Sequence, residues 1–233
     1  MLAALAPAAW LLWTIYQKDS DQPEPKKWLA KGFVYGIGSA FLSLAISLPA
    51  SMVLGMNIDN QVYSSFVEAV GDAFLLAAIP EEAAKLFMLW LLLRKNPFFD
   101  EHFDGIVYAV CVGLGFAALE NVVYLISGIG DGSWIGVGVT RAVFTVPAHY
   151  FFAILMGYYY SVYYFGIDRS TKSKLMVLVA PILAHGIFDS LLFCMRIDEA
   201  LSGVLMILFI IFFTKLRKRA TMRIEAISKQ NVS

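Results

Sequence analysis

Apolar positions along this chain gather into seven runs, near residues 1–16, 28–55, 66–93, 105–127, 136–165, 175–194 and 200–215, with short polar breaks between them. A helix rises ~1.5 Å per residue, so the longer runs exceed the roughly 30 Å hydrocarbon core of a bilayer. The pattern predicts an all-α fold, a polytopic transmembrane helix bundle of about seven helices. No internal period of solenoid length repeats, so one integral membrane domain over residues 1–233 is expected. The first run is the shortest. It lacks the basic start and small-residue cleavage site of a secretory signal and is read as an anchor.

The breaks differ in charge. The first, Gln17 to Lys27, holds Pro23 and Pro25, which remove helix donors, and it is rich in lysine. Arg94 to Asp104 is basic at its start, Asp168 to Lys174 is basic, and so is the tail after Thr214. The breaks around Asn57 to Ser65 and Gly128 to Trp134 carry no Lys or Arg, the latter only Asp131, while Arg196 faces Asp198 and Glu199. Basic and non-basic connections therefore alternate, which predicts an N-terminus outside and a C-terminus in the cytoplasm. Composition agrees with a membrane location: 59% of residues are hydrophobic, 15% are charged and the mean hydropathy is +0.69. Cys111 and Cys194 have no metal-ligand spacing and are read as small buried hydrophobes.

Ionisable groups interrupt four of the runs, where each costs about 2.5–3.5 kcal/mol and normally faces a protein cavity. Glu81, Glu82 and Lys85 lie mid-way through the third run, Glu120 and Asn121 in the fourth, Arg141 and His149 in the fifth, and His185 and Asp189 in the sixth. Counting inward from the run ends brings all but Arg141 to similar depth. Lys85 is four residues from Glu81 and three from Glu82, so one ammonium can neutralise one carboxylate, with the spacing favouring Glu81 as partner and Glu82 as the freer base. His185 and Asp189 share a helix face, where the carboxylate can orient the imidazole. Crowded carboxylates at low dielectric give a general acid or base near neutral pH; two imidazoles with carboxylates equally suit a divalent metal such as zinc, with His149, His185, Glu82 and Glu120 as the ligands. Both chemistries stay open. Pro80 is expected to kink the third helix and open a cavity. Arg141 reads as a structural or snorkelling charge near the outer rim, and His102 as a solvated loop residue. Gly113, Gly115 and Gly157 read as packing positions, and the tyrosines at 158–160 and 163–164 as an interfacial belt.

At these residues the chain resembles the PrsW family of intramembrane proteases, in the wider group that includes the CAAX prenyl endopeptidases. Three motifs carry the resemblance: Glu81-Glu82-x-x-Lys85, Phe116-x-x-x-Glu120 and His185-x-x-x-Asp189. The resemblance implies hydrolysis of membrane-anchored protein substrates such as anti-sigma factors, in a bacterial inner membrane, with the lipid bilayer and no nucleic acid as partner. It further implies that Glu81 and Glu82 activate water, that Glu120 and His185 assist, and that Asp189 orients His185, with Lys85, Asn121 and His149 in support. The CAAX relatives have His in the second motif and Asn in the third, so Glu120 and Asp189 argue against prenylated-cysteine substrates. Two other readings use the same cluster: a proton-coupled transporter, and a non-catalytic binding protein derived from a protease.

Overall fold

The computed structural model describes residues 2–19, 22–57, 62–130 and 132–231; Asp131 of the fourth connection lies outside them. Seven helical runs follow one another, the number predicted, and the described residues contain no strand. We label them α1 (Leu2–Lys18), α2 (Lys26–Leu54), α3 (residues 66–93), α4 (Asp104–Ser127), α5 (Trp134–Tyr164), α6 (Thr171–Cys194) and α7 (Glu199–Asn231). Five of them, α2, α4, α5, α6 and α7, are long and apolar enough to cross a membrane.

Helix α4 is the axis of the bundle. Every residue from Asp104 to Ala118 is buried, because α2 lies against one side and α5 against the other. Glycine permits the approach. A Cβ on Gly115 would stand 2.1 Å from the Phe33 carbonyl oxygen of α2, and one on Gly157 would stand 2.3 Å from the Gly105 carbonyl oxygen. On α2 the facing stripe is small throughout: Gly32, Gly36, Ser39, Ser43, Ser47 and Ser51. Without a hydrophobic drive between helices in lipid, such close contact supplies the dispersion energy that holds them.

Two helices depart from regular α geometry in the same way. In α3 the segment Asp72–Ala78 is a π-helix ending just before Ile79-Pro80, and in α5 the segment Arg141–Thr145 is a π-helix ending just before Val146-Pro147. Proline has no N–H and its ring crowds the carbonyl four residues back, so a widened turn upstream relieves the clash. The Ile79 N–H bonds to Phe74 O and the Val146 N–H to Arg141 O, five residues back in each case. The Leu76 carbonyl, which Pro80 cannot serve, accepts the Ser47 hydroxyl at 2.9 Å. Pro80 thus follows a π-turn within one continuous helical run.

Helix α7 also runs past the expected end near residue 215. Leu216, Ala220, Ile224 and Ile227 recur on one face and are buried, so the basic tail continues as an amphipathic helix. Arg223 fixes it by donating to the hydroxyls of Tyr158 and Tyr159 at 3.1 and 2.9 Å. Those tyrosines are therefore partners of the tail as well as candidates for a belt.

Candidate active site

The four helices that carry the mid-run ionisable groups meet around one point. Helix α3 delivers Glu81, Glu82 and Lys85 immediately after its π-turn and proline, and α5 delivers His149 two residues after Pro147. Helix α4 adds Phe116, Glu120 and Asn121, and α6 adds His185 and Asp189. Gly186 lets α6 seat closely: a Cβ there would stand 2.3 Å from the ring of Phe74, within the α3 π-turn.

Lys85 lies at the centre. Its Nζ donates to Glu82 Oε1 at 2.8 Å and Glu81 Oε2 at 3.3 Å, and it lies 3.1 Å from His149 Nδ1 and 4.0 Å from the Phe116 ring centre. An ammonium has only donors, so His149 Nδ1 accepts and the ring proton sits on Nε2, which donates to Glu120 Oε2 at 3.0 Å. His185 is flanked by acids: Nδ1 is 2.9 Å from Glu82 Oε1, Nε2 is 3.0 Å from Asp189 Oδ2, and its ring stacks on Phe152. The two imidazole rings stand 5.2 Å apart.

Exposure is uneven, and it sorts the carboxylates. Glu82 is completely buried, and Lys85, His149 and His185 are each about as hidden, whereas the side chains of Glu81, Glu120 and Asp189 are 16%, 21% and 15% exposed. The open side of the cluster is lined by these three. Lys85 holds Glu82 more closely than Glu81, which reverses the expectation from spacing: the i,i+3 rung is the shorter one here, and His185 binds the same Glu82 oxygen.

Of the two readings open for Arg141, a structural or a snorkelling charge, the structure fits the structural one. Arg141 is 8% exposed, not snorkelling at a rim, and sits at the first position of the α5 π-turn. Its Nη2 is 2.9 Å from Glu120 Oε2, its Nε donates to Asn121 Oδ1 at 3.0 Å, and its guanidinium covers the Tyr124 ring at 4.2 Å. Asn121 is thereby turned to Arg141 behind Glu120. His102 is half-buried against Phe165 rather than solvated. Gly113 and Gly157 pack as expected, with the Gly113 position facing Ala153, and Cys111 and Cys194 are free and buried.

The donor set suits a divalent cation. Glu81, Glu82, His149 and His185 each offer one ligand atom, all within 4.8 Å of one another. Glu82 Oε2 is a buried carboxylate oxygen with no hydrogen-bond partner. Four carboxylates (Glu81, Glu82, Glu120, Asp189) face two fixed cations (Lys85, Arg141), a deficit of two positive charges before the imidazoles are counted. Glu120 belongs to a neighbouring pair instead, bonded to His149 and Arg141.

A helical membrane bundle with a buried carboxylate and imidazole centre is the class that fold and site define. The pattern of the PrsW family intramembrane metalloproteases matches residues 24–216. "Protease PrsW" of Clostridioides difficile (strain 630) is 36% identical over 217 residues, covering 92% of this chain and 87% of that protein. "Protease PrsW" of Bacillus subtilis (strain 168) is 34% identical over 191 residues, 82% of this chain and 81% of that one, and the Geobacillus kaustophilus protein is 30% identical over 190 residues. No solved structure matches. The chain belongs to the PrsW family of intramembrane proteases.

Proposed function

We propose that this chain hydrolyses peptide bonds in membrane-anchored protein substrates, with Glu81 as the base that activates water. The observation that carries this reading is the division between the two adjacent glutamates. Glu82 is fully buried, with one oxygen shared by Lys85 and His185. Glu81 is at the open side, 16% exposed and more loosely held at 3.3 Å. A base has to reach both water and substrate, which suits Glu81; a fixed, unreachable anion suits a structural or ligating role.

In this scheme Glu81 takes a proton from water and the oxygen adds to the scissile carbonyl carbon. The C–N bond breaks as the leaving nitrogen receives that proton. Lys85 and His185 lie beside the site of developing negative charge, where fixed donors stabilise it most. Asp189 holds His185, and Arg141 with His149 holds Glu120 at the mouth. Substrate must unwind locally, because a helical peptide bond is shielded by its own hydrogen bonds; a water-reached cavity inside the bundle tolerates that irregular backbone. If a divalent metal such as zinc is resident, Glu82, His149 and His185 are its holders, with Glu81 adjacent. It would supply Lewis-acid polarisation of the carbonyl.

The test is cleavage of a single-pass substrate, for example an anti-sigma factor, by the purified protein in liposomes. Glu81→Gln is expected to lower turnover by at least about 100-fold, the lower range for loss of a general base, with metal content unchanged. Glu82→Gln is expected to lower both turnover and metal content. A chelator that leaves cleavage intact would exclude the metal-assisted form, and turnover retained in Glu81→Gln would remove Glu81 as the base.

A further inference from the structure

Away from the active site, α1, α2 and α4 enclose an open cavity of about 510 Å³. Its walls are apolar, with Trp13 and Tyr16 from α1, Phe33 from α2, and Val107 and Cys111 from α4 as the floor. One lining residue is charged. Lys26 is the first residue of α2, where that helix leaves the polar 19–25 connection and begins its passage through the bundle.

The two described acids of that connection do not neutralise it. Asp19 and Glu24 are 4% and 5% exposed and turn inward: Asp19 Oδ2 accepts the Glu24 N–H at 3.2 Å, and the Glu24 carboxyl is bonded to the Tyr108 hydroxyl. No described carboxylate lies within ion-pair distance of Lys26, and Lys18 and Lys27 add positive charge at the same end. An ammonium at the polar end of a long apolar groove matches an amphiphile with an anionic head and a hydrocarbon chain. Lys26 would meet the head at the interface, where a basic residue attracts anionic lipid, while the chain runs between Phe33 and Val107.

We propose that this groove is a binding site for an anionic phospholipid of the surrounding bilayer, with its phosphate on Lys26 and one acyl chain laid between α1, α2 and α4 over Cys111. The site is separate from the active-site cluster and does not depend on the proteolytic reading. Charge selects the occupant: the apolar walls accept any chain, and Lys26 discriminates by headgroup.

The chain has five tryptophans, of which Trp13 lines the groove. The full-length protein is placed in phosphatidylcholine nanodiscs containing a minor fraction of lipid brominated on its chains, either phosphatidylglycerol or phosphatidylcholine. Subtracting the fluorescence of Trp13→Phe isolates the Trp13 signal. Expected is a preference of about fivefold for brominated phosphatidylglycerol at Trp13, the factor one basic residue contributes near an anionic surface. The other four tryptophans should show no such preference. Lys26→Gln should bring the Trp13 ratio to near one, and so should high salt on the unaltered protein, which serves if the variant fails to fold. Equal quenching by the two lipids would show ordinary annular lipid and overturn the proposal. So would a preference that survives Lys26→Gln or high salt, and so would absence of quenching by either lipid, which would mean that polypeptide fills the groove.

Discussion

Replacing Arg141 by leucine removes the guanidinium that stands 2.9 Å from Glu120 Oε2 and 3.0 Å from Asn121 Oδ1. A hydrogen bond involving a charged group contributes about 1.5–3 kcal/mol. The Glu120 side chain is 21% exposed, so water softens that loss and the low end applies. The Asn121 bond is buried but its acceptor is neutral, so the low end applies there too. The ion pair to Glu120 and the hydrogen bond to Asn121 together come to about 3 kcal/mol, or roughly 6–12 °C in melting temperature for a chain of this size. Arg141→Lys keeps a charge near Glu120 but lacks the fork that reaches Asn121 at the same time, and should recover about half of the loss. Thermal unfolding of the detergent-solubilised protein measures both. Turnover should also fall in Arg141→Leu, because Glu120 and, through it, the ring of His149 lose a fixed point. If Arg141→Leu melts within about 2 °C of the unaltered protein, as an ordinary surface change would, and Arg141→Lys is no better, then the guanidinium does not hold Glu120.

Three further outcomes are expected. Lys85→Met leaves Glu82 buried with one partner fewer and should cost about 3–5 kcal/mol, visible as loss of folded protein on size exclusion. Gly115→Ala places a methyl 2.1 Å from backbone oxygen that cannot rotate away, so α2 and α4 must part; a loss of about 1–3 kcal/mol, or failure to assemble, is expected in the same assay. Burial pushes the Glu24 carboxyl up to about 8 from the ordinary 4.5; the Tyr108 hydrogen bond opposes this and nearby Asp104 and Asp19 reinforce it. The folded state then holds a proton that the unfolded chain releases, so this contribution is full below about pH 4.5 and is lost as pH rises through about 8. Melting temperature measured from pH 5 to 9 should decline, and Glu24→Gln should flatten that part of the decline.

The charges at depth were legible because a carboxylate in an apolar run has few reasons to be there, and the spacings in Glu81-Glu82-x-x-Lys85 and His185-x-x-x-Asp189 give facing directions on any helix. The same reasoning left Arg141 between a structural and a snorkelling role. Counting residues from a helix end measures depth but not direction, and the π-turn that begins at Arg141 turns its side chain inward to Glu120. The spacing argument also chose the wrong glutamate as the closer partner of Lys85, since i,i+3 and i,i+4 pairs are near-equal neighbours and His185, distant in sequence, settles the choice. The end of α7 was hidden for another reason: a basic tail resembles a solvated one until Tyr158 and Tyr159 supply its anchor. The approach of Glu24 to Tyr108, 84 positions away in sequence, has no local signature at all.

The paired π-turns bear on how this scaffold tolerates change in length. In both α3 and α5 a widened turn, one intervening residue and a proline precede the residues that meet at the centre, so the aim of Glu81, Glu82 and His149 is set partly by arithmetic. Returning either stretch, Asp72–Ala78 or Arg141–Thr145, to 3.6 residues per turn while keeping every residue would swing everything on one side by about 100° relative to the other, because the extra residue of the wide turn would no longer be absorbed. No side chain of the cluster would have been altered, yet its members would face different neighbours. A one-residue insertion elsewhere in either helix, where no wide turn absorbs it, should therefore be tolerated far less than a one-residue deletion inside these two stretches, and loop grafts between relatives should keep each stretch together with its proline.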